Sequence, residues 1–564
     1  MTFRPALAEQ QFVLEHVVQL GDISSEAADV APAILQGVGE LASGDWAPLD
    51  RAGDTIGARL TDAGVVMPDG FPAAYKAYVE GGWGSIASPR EFGGQGLPVS
   101  LSAAVLEALG SANLSFALAP TLTVAAVEAL THHGSPEQQA AYLPRLITGE
   151  WTGTMNLTEP QAGSDVGALK TRAEPAGDGT FRIRGTKIFI SFGDHDLAEN
   201  IIHMVLARTP NAPAGTKGVS LFLVPKYRLA GDGTPGAFND IRVVSIEHKV
   251  GLHASPTCML SFGDQDECLG ELVGKENEGM RAMFTMMNNA RLNVGLQGVQ
   301  VAERATQRAS TYARERIQGY RGGSQVAIIE HPDVRRTLLR MHAQTQAARA
   351  LVYYAFGQLD RGAGGDPAAN SRLELLTPLA KAYGTDIGEE VASLGVQVHG
   401  GVGYIEETGA AQHYRDSRVA RIYEGTNGIQ AADLVGRKLF MDNGGTLVAL
   451  LAEMRAGAEH FLLIRLIDDC DEIGRNLLGS DSDDRLAASY PFLTMLSVAV
   501  CGWLMEKQGR LAAKVAADPM FLELKQAAVR FYVEQIVSEA LGLKAAATAT
   551  AEVLYAVSAD ALAN

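Results

Sequence analysis

Strand-like sequence is confined to one central part of this chain, and helix-like sequence lies on both sides of it. Five segments rich in Val, Ile, Phe and Thr follow one another, bounded by turn clusters such as Gly177-Asp178-Gly179. They are FRIRGTKIFISF (181–192), NIIHMVLART (200–209), GVSLFLVPKY (218–227), IRVVSIEH (241–248) and TCMLSFGD (257–264). Short β-branched and aromatic runs between turn signals predict strands, here an antiparallel barrel or sandwich.

The flanking sequence has the spacing and the alanine content of helices. In GSPEQQAAYLPRLITGE (134–150), Ser135 is placed to cap a helix that has proline in its first turn. Residues 279–319 are predicted to form one long helix or two close ones. Farther on, Leu447, Leu450, Leu451 and Met454 form one apolar stripe. The chain is therefore predicted to be α+β and mainly α.

The order of these blocks predicts five segments. They are an N-terminal helical extension (1–40), a helical domain (41–154), a central β domain (155–275), a helical bundle (276–440) and an additional helical domain (445–564). A β domain between helical domains leaves clefts at the joints, and cofactor pockets tend to lie at such joints.

Charge and cysteine content exclude several classes of protein. The net charge is −18, without a Lys/Arg cluster of the kind that binds phosphate backbones. Residues 445–564 carry 10 Lys/Arg and 16 Asp/Glu. The four cysteines form no CxxC pair and show no zinc-site spacing. We therefore expect no nucleic-acid binding, no metal site, and buried free thiols in a reducing compartment.

Two charge-free stretches have the length of a membrane helix, Ala108–Val127 and Leu486–Met505. The first contains Gly110, Asn113 and Pro120, and the second contains Tyr490 and Pro491. Both are interpreted as buried helices of a large core. The sequence MTFRPALAEQQFVLEHVV (1–18) lacks the pattern of a signal peptide, so we expect a cytoplasmic protein without integral membrane association.

The stretch from residue 396 to residue 430 is unusually rich in glycine. Its sequence is VQVHGGVGYIEETGAAQHYRDSRVARIYEGTNGIQ. Because each glycine in an exposed helix costs about 1 kcal/mol relative to alanine, their density indicates close approach of the backbone to a ligand or another subunit. Glu424, next to Gly425 and Thr426, is then a candidate general base in a dry site. A helix-capping or surface acid is the alternative interpretation.

A second candidate loop is MNLTEPQAGSDVGALKT (155–171), which lies where helical sequence gives way to strands. Thr158, Gly163 and Ser164 offer hydroxyls and unencumbered backbone N–H groups. Such a loop can hold a phosphate or the edge of an electron-rich ring. On composition alone, a turn-rich connector is the favoured interpretation.

Six motifs in one order make residues 45–440 resemble the acyl-CoA dehydrogenase family. They are EFGGQGLP (91–98), MNLTEPQAGSDVG (155–167), GTKIFIS (185–191), NEGMRAMFTMMNNAR (277–291), QVHGGVGY (397–404) and RIYEGTNGIQ (421–430). The N-terminal stretch and the additional C-terminal block resemble the longer bacterial members. The resemblance implies the family's N-terminal helical domain, central β domain and C-terminal helical bundle, followed by the additional helical domain.

The resemblance implies a role for Glu424. In the family this glutamate removes the α-proton of an acyl-CoA thioester, a hydride passes to FAD, and the trans-2-enoyl-CoA forms. The Glu424 N–H and a ribityl hydroxyl of FAD hold the charge that develops on the carbonyl oxygen. Some members carry the base directly before the arginine of the preceding helix. Here Ala290 occupies that position before Arg291.

The same resemblance implies the binding residues. Those for FAD are Met155, Leu157, Thr158, Ser164, Phe189, Ile190, Ser191, Arg316, Gln318, Gln397, Gly400, Gly401, Thr426 and Gly428. Those for the substrate are Ser164, Asn288, Arg291 and Gly425. In the family, the residues equivalent to Arg316, Gln318 and the 397–401 loop come from a neighbouring subunit. We therefore expect a homo-oligomer, a dimer or a tetramer.

The implied activity is dehydrogenation of an acyl-CoA, with electrons passed to an electron-transfer flavoprotein. The substrate stays open between 3-methylthiopropionyl-CoA and a fatty acyl-CoA. An acyl-CoA oxidase is a near alternative, because the two activities differ in whether oxygen reaches the flavin. A flavin-containing, nucleic-acid-associated relative is the alternative from another class, and it would need a basic C-terminal domain.

Overall fold

The computed structural model describes residues 3–564, except for the side chain of Asn288, and divides into two compact units. One unit, the β-containing unit, is Gln36–Ala290. The other, the helical unit, comprises the described residues up to Leu35 together with Arg291–Asn564. The fold is mainly helical with one large central sheet, which confirms the predicted fold class.

Helices form the first half of the β-containing unit. Serine caps the helix Pro136–Thr148 as predicted, since Ser135 Oγ accepts from Gln138 N at 3.2 Å and Ser135 N donates to Gln138 Oε1 at 3.0 Å. This reciprocal arrangement is a capping box, which satisfies two backbone donors at the helix start. The helices of this part are Ala47–Ile56, Phe71–Glu80, Val99–Ala112, Leu114–His133 and Pro136–Thr148, and the helix Ser25–Leu41 begins in the helical unit and ends in this one.

An eight-stranded sheet forms the second half of this unit. In sheet order the strands are Ile241–Ile246, Thr257–Phe262, Phe181–Ser191, Leu269–Val273, Ser220–Pro225, Asn200–Ala207 and Trp151–Asn156, and Arg172–Pro175 pairs with Phe181–Ser191. All five predicted strands are present within a few residues of their expected bounds. Smaller two-stranded ladders join Arg59–Thr61 to Gly64–Val66 and Tyr227–Leu229 to Pro235–Phe238.

One pair of strands departs from the predicted antiparallel arrangement. Trp151–Asn156 runs parallel to Asn200–Ala207, with Met155 opposite Met204. A parallel pair needs a long crossover connection, and here two other strands and their loops lie between the two. Both strands are buried along their whole length, as parallel strands usually are. Trp151–Asn156 itself was not among the predicted strands, because its Thr and Gly content masks the apolar signal.

Long helices form most of the helical unit. They include Gly279–Glu315, which begins in the other unit, Pro332–Ala363, Pro367–His399, Phe461–Gly479 and Ser482–Ala512. Shorter helices are Leu7–Val13, Leu20–Ile23, Ala410–Ser417, Asn427–Asp433, Gly445–Gly457, Pro519–Phe531, Val537–Leu541, Lys544–Ala547, Glu552–Tyr555 and Ala559–Ala563. The predicted stripe on Gly445–Gly457 is buried at all four positions. We call residues 445–564 the C-terminal block.

A β-hairpin interrupts the region predicted to be helical. The helix that starts at Gly279 ends at Glu315, and the strands Ile317–Arg321 and Ser324–Ala327 follow. The prediction of helix through residue 319 is therefore wrong. Gly322 and Gly323 both have positive φ, of 61° and 86°, which is the backbone that a tight hairpin turn requires. Consecutive glycines at this point were a hairpin signal.

Two helices, Leu114–His133 and Ser482–Ala512, are long and apolar enough to cross a membrane. However, 72% and 83% of their most apolar windows are buried inside the protein. The two charge-free stretches therefore lie in helices that are mostly buried. The first stretch is interrupted at Asn113, directly before the helix Leu114–His133. Asn113 Oδ1 caps this helix by accepting from Phe116 N.

Candidate active site

Glu424 lies in a sharp backbone reversal within the helical unit. Its φ is 54°, and that of Gly425 is 80°, so two consecutive residues adopt the left-handed region. A non-glycine residue rarely adopts this conformation, and such strain is often found at functional positions. The chain then enters the helix Asn427–Asp433, where Thr426 Oγ1 accepts from Ile429 N at 3.1 Å. We call residues 421–427 the Glu424 loop.

Two buried cations lie near the Glu424 carboxylate. Arg291 is 6% exposed and Lys381 is fully buried, and both attract the carboxylate electrostatically. Burial nevertheless raises the pKa of Glu424 above its ordinary value, and the two cations oppose that rise. No described residue donates a hydrogen bond to this carboxylate. A half-buried carboxylate with a raised pKa, whose oxygens accept no hydrogen bond from a described residue, is suited to accept a proton.

Two donors close to Glu424 have no acceptor among the described residues. One is the backbone N–H of Glu424 itself. The other is the Nε–H of Arg291, which is buried. Buried donors are usually paired, so these two are available to a polar ligand. The Glu424 carbonyl oxygen, in contrast, accepts from Gln430 Nε2 at 3.2 Å.

Lys381 is a member of this site that the sequence analysis did not identify. It lies on the helix Pro367–His399, and its Nζ donates to Asn427 Oδ1 at 2.8 Å. Burial lowers the pKa of Lys381 to about 7, against the attraction of Glu424 and Asp386. A single lysine in the apolar run LLTPLAKAYG was the only sequence signal, and it does not distinguish a site residue from a snorkelling surface lysine.

Two other acids of the glycine-rich stretch have a different setting. Glu406 and Glu407 belong to an exposed turn, Glu406–Thr408. Glu406 Oε2 lies 2.7 Å from Arg415 Nη2, so the Glu406 carboxylate is engaged in a salt bridge at the surface. Neither carboxylate shares the buried setting of Glu424.

A second group of predicted residues comes together on the sheet of the β-containing unit. Leu157 and Thr158 follow the strand Trp151–Asn156, and Met155 is buried on it. Ile188 N donates to Thr158 O at 2.9 Å, and Lys187 Nζ donates to Leu157 O at 3.1 Å. The loop that holds Thr158 is thus joined directly to the strand that holds Phe189, Ile190 and Ser191.

A buried ion pair holds this loop in place. Lys187 Nζ lies 2.8 Å from Glu159 Oε1, and both side chains are almost completely buried. Glu159 also accepts from Lys170 N at 2.6 Å and from Thr171 N at 3.0 Å. These bonds hold the pKa of Glu159 at about 2, although burial alone would raise it. The carboxylate is therefore structural, and it fixes the loop next to Thr158.

Phe189 has the geometry of a ligand-facing aromatic. Its φ is 60°, and its side chain is 59% exposed although Ile190 beside it is 2% exposed. The pairing with Thr257–Phe262 shifts register at this point, which is the mark of a β-bulge. Bulges re-aim side chains next to functional sites. Together with the half-buried hydroxyls of Thr158 and Ser191, the exposed ring fits a planar, polar-edged group such as a flavin.

A third group lies on the helical unit. Arg316 and Gln318 are exposed at the hairpin, and Gln397, Gly400 and Gly401 are exposed at the end of the helix Pro367–His399. Tyr312 stacks on His399 with ring centroids 4.4 Å apart, which brings the two segments together. Exposed arginine and amide groups beside a glycine turn fit a phosphate-bearing ligand.

The remaining predicted residues are more dispersed. Thr426 and Gly428 are exposed next to Glu424, and Gly425 lies beside the Arg291 guanidinium. Ser164 is exposed on the loop after Thr158. The side chain of Asn288 lies outside the described residues.

Comparison with known protein families gives four consecutive matches along the chain. They are the acyl-CoA dehydrogenase N-terminal domain (58–150), middle domain (154–265) and C-terminal domain (277–439), and the acetyl-CoA dehydrogenase C-terminal-like domain (449–558).

Individual proteins match over nearly the whole chain. The 3-methylmercaptopropionyl-CoA dehydrogenase of Ruegeria pomeroyi is 45% identical over 96% of this chain and 97% of its own. A butyryl-CoA dehydrogenase of Syntrophomonas wolfei is 38% identical over 88% of this chain and 87% of its own. Among solved structures, an acyl-CoA dehydrogenase from Bacillus anthracis in complex with FAD has the same fold. Its TM-score is 0.76, with 24% identity over 93% of this chain and 88% of that one.

Proposed function

This chain belongs to the acyl-CoA dehydrogenase family, and we propose that Glu424 is the base that removes the α-proton of its acyl-CoA substrate. The protein is a flavin-dependent oxidoreductase that dehydrogenates acyl-CoA thioesters. One observation carries the proposal: Glu424 lies in a strained turn near two buried cations, its pKa is raised, and its carboxylate accepts no hydrogen bond from a described residue.

The chemistry follows from the charges of the site. The α-carbon–hydrogen bond breaks, the proton goes to the Glu424 carboxylate, and negative charge develops on the thioester carbonyl oxygen. The N–H of Glu424, which has no acceptor among the described residues, would donate to that oxygen. Bound FAD would supply the acceptor for the hydride that leaves the β-carbon, so that the product would be the trans-2-enoyl-CoA. Arg291 and Lys381 favour the ionised form of Glu424, which is the form that acts as a base.

We propose that the flavin is FAD, and that the residues predicted from the sequence bind it. Thr158 and Phe189–Ser191 form one connected surface for the ring, and the β-bulge turns Phe189 outward. Arg316 and Gln318, with the Gln397–Gly401 segment, would hold the pyrophosphate and adenine of an FAD bound mainly by a neighbouring subunit. This arrangement implies a homo-oligomer, and the exposure of these polar residues in the single chain supports it.

We infer that the substrate is a short-chain thioester, with 3-methylthiopropionyl-CoA the first choice. Two relatives that match most of the chain are named for 3-methylmercaptopropionyl-CoA and for butyryl-CoA, both short. Flavin bleaching should be measured with straight-chain acyl-CoAs from four to sixteen carbons and with 3-methylthiopropionyl-CoA. Fastest bleaching with a long-chain thioester would contradict the short-chain assignment.

The electron acceptor is proposed to be an electron-transfer flavoprotein, in the cytoplasm. Reduced enzyme with bound product should then stay bleached in air. Rapid return of the yellow colour would identify an oxidase instead.

We also propose the five-segment division of the chain. Limited proteolysis should cut at residues 441–444, between the helical bundle and the additional helical domain.

The test of the base is Glu424→Gln. Glutamine keeps the shape of the side chain but cannot take the proton, so turnover should fall by about 100- to 10,000-fold. The variant should still bind FAD and acyl-CoA. Its thermal stability should be unchanged or higher, because burying a carboxylate is costly.

Glu407→Gln is the matched control, because Glu407 is an exposed acid on another turn of the same glycine-rich stretch. It should keep the activity of the parent enzyme. If Glu424→Gln bleaches the flavin at close to the parental rate, Glu424 is not the base.

A further inference from the structure

One carboxylate on a neighbouring helix joins both ends of the Glu424 loop. Asp386 Oδ1 accepts from Arg421 Nε at 2.7 Å and from Asn427 Nδ2 at 2.9 Å. Arg421 precedes Glu424 by three residues, and Asn427 follows it by three. Asp386 therefore holds the loop on either side of the proposed base.

Further bonds hold both ends of the loop to the same helix, Pro367–His399. Asn427 is buried, and its Nδ2 also donates to Ala382 O at 3.1 Å. Arg421 Nη1 donates to Glu389 Oε2 at 2.7 Å. Glu424 itself makes no side-chain hydrogen bond to a described residue, so these two neighbours help to hold it in position, together with the bond from Gln430 to its carbonyl oxygen.

The C-terminal block completes this arrangement. Tyr490, on the helix Ser482–Ala512, donates its hydroxyl hydrogen to Asp386 Oδ2 at 2.7 Å. The same hydroxyl accepts from Arg421 Nη2 at 3.4 Å. Tyr490, Asp386 and Arg421 thus form a closed triangle of hydrogen bonds. Without the tyrosine hydroxyl, Asp386 would lose a donor from its second oxygen and could rotate away from the loop.

We propose that the C-terminal block supports the Glu424 loop, and that Tyr490 is the positioning residue through which it acts. Tyr490 does not touch the reacting atoms; it orients Asp386, which in turn holds Arg421 and Asn427. The inference rests on the proposed role of Glu424 as the base. It assigns a function in catalysis to a block that the sequence analysis left without one.

A hydrogen bond of the same kind serves as the matched control. The hydroxyls of Tyr383 and Tyr532 lie 2.9 Å apart and are buried. Tyr383 is on the same helix as Asp386, and Tyr532 is in the C-terminal block. Tyr532→Phe therefore removes one hydroxyl between the same two parts of the fold. Among the described residues, Tyr383 and Cys501 are the hydrogen-bond partners of that hydroxyl, and neither belongs to the Glu424 loop.

The experiment compares the holoenzyme with the variants Tyr490→Phe and Tyr532→Phe. Hydrogen exchange of peptides that cover residues 418–430 should accelerate about tenfold in Tyr490→Phe, the effect of losing one hydrogen bond to a charged group. In the same variant kcat should fall by a similar factor while KM and FAD content stay unchanged. The isotope effect with α-deuterated substrate should rise. Tyr532→Phe should leave exchange of the loop and kcat at the parental values.

Equal rates of loop exchange in the two variants would overturn the inference. So would a fall in kcat in both variants that is proportional to their loss of thermal stability. The exchange measurement needs no turnover. It therefore decides whether Tyr490 holds the loop even if Glu424→Gln proves fully active, a result that would overturn the proposed function instead.

Discussion

Replacing Gly425 by alanine tests whether the backbone at Glu424 must have its observed shape. The φ of Gly425 is 80°, which L-residues rarely adopt. A Cβ at this position would lie 2.9 Å from Gln430 Nε2 and 4.0 Å from Arg291 Nη2. The close contact is with the amide that donates to Glu424 O at 3.2 Å. Alanine would therefore strain the turn and displace that hydrogen bond.

The expected cost can be worked from these two effects. A left-handed conformation costs an L-residue about 1–2 kcal/mol. A lost internal hydrogen bond costs about 1 kcal/mol. The free energy of local opening should thus fall by about 2–3 kcal/mol. Hydrogen exchange of the loop amides should therefore be about 30- to 150-fold faster than in the parent. A shift of about 1 Å at the base can by itself cost about 100-fold in turnover.

Hydrogen exchange of residues 418–430 and steady-state turnover together measure this effect. Gly436→Ala is the control, because its Cβ would meet no atom within 4 Å and its φ is not positive. That variant should retain turnover and gain slight helix stability. Parental exchange and turnover in Gly425→Ala would refute the argument that only glycine fits beside Glu424.

Three further predictions concern charge, assembly and thiols. Lys381→Met removes a cation that lowers the pKa of Glu424, so this pKa should rise. Because the base acts unprotonated, the acid limb of the kcat/KM profile should move to higher pH, and an unmoved limb would contradict the assignment. Arg316→Ala should release FAD on dilution more readily than the parent without a lower melting temperature; retention of FAD by a proven monomer would contradict the shared site. Burial raises the pKa of all four thiols, so a thiol reagent at pH 8 should label the chain only after denaturation. These thiols are Cys258, Cys268, Cys470 and Cys501.

Much of the fold could be predicted because its signals are local. Runs of β-branched and aromatic residues between turn clusters predicted the five strands, and Ser135 followed by Pro136 predicted a helix start. Two features were missed for physical reasons. The hairpin at 317–327 depends on a glycine pair that was read as part of a helix, and the parallel pairing of Trp151–Asn156 depends on a partner far along the chain.

The sequence by itself determined the family, the reaction class and Glu424 as the candidate base, since the motifs that carry them are contiguous. Tertiary structure alone brought Lys381 and Asp386 beside the Glu424 loop, and Tyr490 from the C-terminal block onto Asp386. The pKa of a carboxylate depends on the distance to nearby charges and on the loss of water around it. The orientation of a loop depends on hydrogen bonds of defined length and angle. Neither quantity is a property of residue spacing along the chain, so both are decided only when distant helices pack together.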